Sequence, residues 1–293
     1  MKEKYILLPI ILCLLNFTKA INTNDFTQPV PTPPDITQPT PTPPATSYQD
    51  LGVFVGAESS AISKMVNYNT VIIDAQYFTQ EEIATIKTSG AKVYSYLNIG
   101  SIEDFRSYFN DFSHLSLGAY ENWPGEFWID VSDKSWIDYN IQTIAKGLVD
   151  KGIDGFFIDN IDVYYYSATD EIYQGLSSFL TQLKASYQLP VLLNGGYSFV
   201  QSTLSNGTQL SSLMNGITHE SVYSKINFNT GKFKTNSIKT RNFYLDYFKQ
   251  VAPLGIDIYI IEYTTDQSLI QEFMPYYEEH GYHYYISNSI ELD

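Results

Sequence analysis

Cysteine is all but missing from this chain. Its one copy, Cys13, falls within the first twenty residues, so everything downstream lacks a thiol. Disulfide frameworks, thiolate nucleophiles and cysteine-built zinc sites are thereby excluded from the rest. Positive charge is scarce too: 17 Lys and Arg stand against 32 Asp and Glu, a formal charge of -15. Phosphate backbones are gripped by a basic face, so this composition argues against a nucleic-acid partner. Histidine is limited to His114, His219, His280 and His283, with neither His-x-His nor His-Glu-x-x-His spacing. A serine hydrolase elbow, Gly-x-Ser-x-Gly, is absent, and Gly195-Gly196 stand alone rather than inside a phosphate-binding loop.

What is present divides the chain into three. Residues 1–20 read as a secretory signal peptide: Lys2 and Lys4 lead, Tyr5 to Phe17 form the apolar core, and Thr18-Lys19-Ala20 offers a cleavage end. The apolar run is shorter than the roughly 20 residues a spanning helix needs, which leaves an uncleaved anchor as the lesser reading. Leu12 precedes Cys13 where a lipoprotein signal places a small residue, so no lipid attachment is read there. Residues 21–47 form a linker in which Gln28-Pro29-Val30-Pro31-Thr32-Pro33-Pro34 is nearly repeated by Gln38-Pro39-Thr40-Pro41-Thr42-Pro43-Pro44. Such Pro-Thr repeats stay extended and pack no core. Residues 48–293 are the folded domain, of a size normal for an α/β barrel. The expected product is a secreted, extracellular, monomeric domain with no membrane span after cleavage.

Within that domain, short apolar runs alternate with helix-like segments. The runs are Gly52-Ala57, Thr70-Gln76, Lys92-Gly100, Phe127-Val131, Gly155-Asn160, Val191-Gly196, Gly216-Ser224, Ile256-Thr264 and Tyr282-Ser287. Helices are predicted over 80–89 after a Thr79 cap, over 135–151, and over 170–187 with Ile172, Leu176, Phe179, Leu180 and Leu183 on one stripe. Strand alternating with helix implies a parallel sheet with right-handed crossovers. Eight such units close a (β/α)8 TIM barrel, and nine runs mean either one extra strand or one misplaced boundary.

The carboxyl ends of these runs carry the polar chemistry. They finish in Asp74, in Tyr96 and Asn98, in Asp130, in Asp159-Asn160-Ile161-Asp162, in Asn194 followed by Tyr197, in His219-Glu220 followed by Tyr223, and in Glu262-Tyr263. One such end is explained by a helix cap, whereas seven are not. In a barrel they converge on one face. Carboxylates, amides and tyrosines without cysteine suit either acid/base work on a glycosidic bond or an oxygen-ligated divalent metal. The 25 tyrosines offer apolar faces with polar tips, as sugar surfaces require.

Four motifs carry a family resemblance: Tyr96-x-x-x-Gly100-Ser101-x-Glu103-x-x-Arg106, Gly125-Glu126-x-Trp128-x-Asp130, Gly152-x-Asp154-Gly155-x-x-x-Asp159-Asn160-x-Asp162 and Glu262-Tyr263. In this order they resemble glycoside hydrolase family 114, the endo-α-1,4-polygalactosaminidases and their TIM-barrel relatives once mislabelled as cysteinyl-tRNA synthetase. The resemblance runs over most of 51–293. It implies a retaining hydrolase of extracellular, amino-sugar polysaccharide, with Asp159 as nucleophile and Glu220 as acid/base. One departure stands out: the family's Asn-Glu-x-Cys around the second carboxylate is His219-Glu220-Ser221-Val222 here. The expected substrate contacts are Asp74, Tyr96, Asn98, Asp130, Asn160, Asp162, Asn194, Tyr197, Tyr223, Glu262 and Tyr263, with no metal or cofactor. A carbohydrate-binding barrel without catalysis and a metal-dependent hydrolase are the alternatives. For single residues the competing roles are structural: a helix cap for Asp159 or Asp162, an ion pair with Arg106 or Lys225 for Glu220, and a local Glu103–Arg106 pair.

Overall fold

A computed structural model of the chain describes residues 49–121 and 123–293. The signal and the linker predicted from the sequence lie outside the described residues. Eight parallel strands form the central sheet: β1 (Gln49–Phe54), β2 (Tyr68–Ile73), β3 (Lys92–Asn98), β4 (Gly155–Asp159), β5 (Val191–Asn194), β6 (Gly216–Glu220), β7 (Asp257–Tyr263) and β8 (His283–Ser287). They pair in chain order from β1 to β8. This is the expected (β/α)8 architecture, a nearly closed barrel wrapped by helices. Across the β8–β1 seam the link is made by side chains and the C-terminal tail. His283 Nδ1 lies 2.5 Å from Asp50 Oδ2, Tyr285 packs on Phe54 and Tyr68, and the Gly56 amide donates to the Leu292 carbonyl. A cavity of about 710 Å³ opens beside this seam at the amino-terminal end of the strands, lined by Asp50, Tyr68, Glu278, His283 and Tyr285 among others.

The supernumerary run is the fourth. Glu126–Ile129 leaves the barrel and lies between Ser101–Glu103 and Ser116–Ala119 in a separate antiparallel sheet. This sheet forms an insertion between β3 and β4. Asp159 therefore ends the fourth barrel strand, and Glu220 the sixth. A second insertion follows β6, where Ser224–Asn227 and Lys232–Thr235 pair as a hairpin. The helices follow from their ends. α1 (Gln80–Lys87) starts with a full capping box between Thr79 and Glu82. The helix over 134–150, α2, is capped by Asp133 and passes through a π-turn at Asn140–Ala145. α3 (Asp170–Tyr187), α4 (Tyr197–Ser205), α5 (Ile238–Val251) and α6 (Gln267–Glu279) complete the wrapping. Among the described residues no helix is long and apolar enough to cross a membrane.

Side chains alternate across each strand with period two. One set fills the barrel and the other meets the helices. At the amino-terminal end the filling is done by tyrosines placed against glycines. The Tyr94 ring occupies the space that a Cβ on Gly155 would need, Tyr68 does so at Gly52, and Tyr259 crowds Gly216. Much of the tyrosine content that suggested sugar contacts is thus interior packing. Burial pushes the Tyr68 and Tyr94 hydroxyls above their ordinary range. A methyl group at 155 cannot be absorbed without displacing Tyr94. Gly155→Ala is expected to cost about 1–3 kcal/mol, read as a lowered thermal midpoint, and an unchanged midpoint would show that the tyrosine layer is loosely packed.

Candidate active site

The same alternation decides which strand-end groups face the mouth of the barrel. On β4 the interior series is Gly155, Phe157 and Asp159. On β5 it is Leu192 and Asn194, on β6 Gly216, Thr218 and Glu220, and on β7 Tyr259, Ile261 and Tyr263. Parallel register aligns them: Asn98 pairs with Asp159, Ile158 with Leu193, Asn194 with Thr218, and Ile261 with Glu220. The outcome is a row of polar groups at the carboxyl ends of adjacent strands.

Asn194 is the centre of that row. Its Nδ2 donates to Asp159 Oδ1 and to Glu220 Oε1, each at 2.9 Å. The other Glu220 oxygen accepts the Tyr263 hydroxyl at 2.6 Å. The Asn160 backbone N–H lies next to Asp159 and favours its ionised form. Both carboxyls are buried, Asp159 at 3 % exposure and Glu220 at 0 %. Burial pushes Asp159 up to about 8, although hydrogen bonds from Asn194 and Asn160 pull it down. Burial likewise pushes Glu220 up to about 7 against the pull of Tyr263 and Asn194. Two such acids joined through one donor titrate as a pair. Each of the three strands then turns through a left-handed residue: Asn160 at φ 59, Gly195 at φ 68 and Ser221 at φ 63. Asn160 and Ser221 carry side chains in that region, a cost of order 1–3 kcal/mol each that tends to gather at functional sites.

A second group of charges lies beside the first. Arg106 Nη1 donates to Asp74 Oδ2 at 2.9 Å, and its Nε and Nη2 reach both Glu103 oxygens at 3.2 and 3.1 Å. Tyr96 donates its hydroxyl to Glu103 at 3.2 Å. The Arg106 partners are thus Asp74 and Glu103 rather than Glu220. Asp74 also accepts the Gln76 amide, which makes it the cap of a short turn after β2.

The remaining strand-end residues take other places. Asp162 accepts the Gly196 amide at 3.1 Å, at the start of α4, and burial pushes it up to about 6. It lies at the N-terminus of the Val163–Tyr166 turn without a side-chain capping bond there. Tyr197 is half-buried against Phe243 and Tyr247. Tyr223 is buried against Phe273 and Tyr277, with Arg241 over its ring. Glu262 alternates with Tyr263 and so points outward. It accepts the Tyr223 and Ser224 amides at 2.8 Å each, the Ser224 hydroxyl at 2.5 Å and the Tyr277 hydroxyl at 2.7 Å. That set occupies its oxygens with the protein's own donors. Asp130 ends the insertion strand, where it accepts the Ser132 amide and hydroxyl in a tight turn. Asn98 and Asn160 join Ser101 and Glu126 in one amide–carboxyl cluster. Glu126 is the group that strand ends did not reveal, because it opens an antiparallel strand instead of closing a parallel one. Its signal in the sequence was the Gly125-Glu126 pair itself.

A family model described as glycoside-hydrolase family GH114 matches residues 31–292. An uncharacterized protein of Thermotoga maritima is 22% identical over 232 residues, covering 73% of this chain and 70% of its own. Among solved structures, the glycoside hydrolase domain of PelA from Pseudomonas aeruginosa superposes with a TM-score of 0.70 at 16% identity, covering 83% of this chain and 96% of that one. Ega3 of Aspergillus fumigatus, solved in complex with galactosamine, gives a TM-score of 0.62 at 18% identity, over 85% of this chain and 94% of its own. At these identities the two structures speak for the fold.

The raised acids have a consequence for stability. An acid whose folded value stands above its unfolded one binds more protons when folded, so stability falls as pH rises between the two values. For Asp159 that window runs from 3.8 to about 8. Asp159→Asn removes the buried charge and is expected to melt higher than the parent chain above about pH 8, the gap closing towards about pH 4. Thermal melts across this range test it, and a variant no more stable than the parent at the alkaline end refutes it.

Proposed function

Because the chain belongs to glycoside hydrolase family GH114, we propose that it cleaves an extracellular amino-sugar polysaccharide with retention at the anomeric carbon. The chain is a glycoside hydrolase, and the observation that carries the finer reading is the shared Asn194 nitrogen. Two N–H bonds on one amide diverge by about 120°, so acceptors at 2.9 Å each put the two carboxyl oxygens about 5 Å apart. Retaining enzymes use a spacing of about 5–5.5 Å, whereas inverting enzymes leave a wider gap for water.

In this reading Asp159 attacks the anomeric carbon while Glu220 gives its proton to the departing glycosidic oxygen. Water then enters, Glu220 takes a proton from it, and the resulting hydroxide displaces Asp159 with the same anomeric configuration. The pair holds one proton between them near neutral pH because burial weakens both acids; in the empty site the higher value of Asp159 keeps that proton there, and the cycle begins once it has passed to Glu220. Tyr263 and Asn194 keep Glu220 in place throughout.

The substrate class follows from charge. Arg106 is engaged by Asp74 and Glu103, so Asp159, Glu220 and Glu126 share a mouth whose nearby cation is already paired. A protonated amine on the sugar balances that charge and favours ionised Asp159. The structure of Ega3 with galactosamine supports the same class. Tyr197, half-buried and next in the chain to Gly196, whose amide bonds Asp162, is the ring we assign to stack on a sugar. Residues 1–20, read as an export signal, would put the enzyme outside the cell with its substrate.

The test is product release from de-N-acetylated α-1,4-galactosamine polymer, with the product anomer followed by NMR. Asp159→Asn and Glu220→Gln are each expected to lose at least about 10³-fold in kcat. Inverted product refutes retention. Equal turnover by parent and variants refutes the assigned pair, and polymer binding without any product refutes the substrate.

A further inference from the structure

Three stretches remote in sequence meet directly beside Asp159. The first is the turn after β3, Asn98 to Ser101. The second is Glu126, at the start of the central strand of the insertion. The third is Asn160, the residue after Asp159. Asn160 Nδ2 lies 2.9 Å from Glu126 Oε1, 2.7 Å from Ser101 Oγ and 3.2 Å from Asn98 Oδ1. Asn98 Nδ2 donates to Ser101 Oγ at 2.6 Å and to Glu126 Oε1 at 3.3 Å, and the Ser101 hydroxyl donates to that same Glu126 oxygen. Asn98 Oδ1 in turn accepts the Ser101 amide at 3.0 Å.

This cluster sits on a strained residue. Asn160 has φ 59, which a side-chain-bearing residue keeps only when its surroundings over-determine it. They do so from two sides. Glu126, Ser101 and Asn98 take its amide, and Gly100 lies so close that a Cβ there would fall on the Asn160 carbonyl oxygen. The turn matters because the Asn160 backbone N–H lies next to the Asp159 carboxyl and pulls its pKa down.

The electrostatics couple the same groups. Glu126 is pushed up to about 8 by burial first, then by Glu103, with Asp159 adding to the rise and Ser101 and Asn98 opposing it. By linkage an ionised Glu126 in turn disfavours an ionised Asp159, although burial, Glu220 and Glu103 weigh more heavily there. Glu220 and Glu103 also raise Asp159, and Arg106 faces Glu103 and Asp74.

We propose that Glu126 is a positioning residue for the reaction, holding Asn160 in the left-handed turn beside Asp159 and placing a second carboxyl next to the nucleophile. The proposal rests on the reading of Asp159 as nucleophile. Two substitutions separate its halves. Glu126→Gln keeps an oxygen to accept from Asn160 and Ser101 but removes the charge. Glu126→Ala removes both.

The first measurement needs no substrate: a pH titration of the Asp159 side-chain carboxyl by ¹³C NMR, assigned by Asp159→Asn. In Glu126→Gln the midpoint is expected to move down by a few tenths of a pH unit, because a neighbouring carboxyl that is about half ionised at that pH is gone. Superimposable titrations overturn the electrostatic half. The second is a double-mutant cycle on turnover. Glu126→Ala is expected to lower kcat roughly ten- to a hundredfold with little change in KM, and Glu126→Gln to restore most of it. In an Asn160→Gly background, where glycine adopts the turn unaided, Glu126→Ala is expected to cost no more than about twofold. A full cost in that background overturns the route through Asn160. A parent chain that turns over no polymer indicts the function proposed above, while the titration still decides the role of Glu126.

Discussion

One amide nitrogen holds the site together. Asn194 is the group that lets two carboxyls lie buried side by side at the end of a barrel, since each accepts from its one amide nitrogen. Everything around it serves that contact. β4, β5 and β6 must be adjacent and in parallel register, which the pairings Ile158 with Leu193 and Asn194 with Thr218 achieve. A slip of one residue on any of the three would turn its polar end outward. The left-handed residues that follow Asp159, Asn194 and Glu220 let the chain leave sharply at the level where the side chains meet.

The structure buries carboxylates in three distinct ways, and the contrast supports the proposed catalytic pair. Glu262 is satisfied entirely by protein donors and anchors the segment after β6 to α6 through Tyr277. Asp74 and Glu103 are satisfied by Arg106, whose planar fork addresses both. Asp159 and Glu220 have neither arrangement. Neutral donors alone reach them, no cation among the described residues forms a salt bridge with them, and both acids are driven towards neutrality. Burying charge in this way is unfavourable for folding. A barrel that needed only stability would have no reason to keep it, whereas general acid catalysis near neutral pH requires it.

The fold was legible because a parallel barrel imposes two repeats that need no coordinates: apolar runs between helices, and polar residues where the runs stop. Those repeats located Asp159, Asn194, Glu220 and Tyr263 on one rim. They misled where the repeat did not apply. Phe127-Val131 looks like a barrel strand because an antiparallel insertion strand is also short and apolar, so Asp130 was grouped with strand ends it does not join. Glu262 lies one residue before Tyr263, and alternation places it on the outer face, a distinction that a list of polar ends ignores. Glu126 was hidden for the opposite reason: it begins its strand. The tyrosines were hidden by number, since a ring packed against Gly155 or Gly216 is indistinguishable in composition from one facing a sugar.

The departure from the family pattern around Glu220 can now be placed physically. His219 and Glu220 are consecutive on β6, so their side chains lie on opposite faces. Glu220 enters the mouth and bonds Asn194 and Tyr263. His219 faces α5, with its ring centroid 3.8 Å from that of Tyr244 and 6.1 Å from that of Phe248. Burial pushes its pKa down to about 3, so it packs as a neutral ring and adds no charge near the carboxyl pair. Val222 is likewise fully buried. Exchanging the family's Asn and Cys for His219 and Val222 therefore alters how β6 and the segment after it pack into the protein, while the contacts that hold Glu220 at the mouth come from β5 and β7.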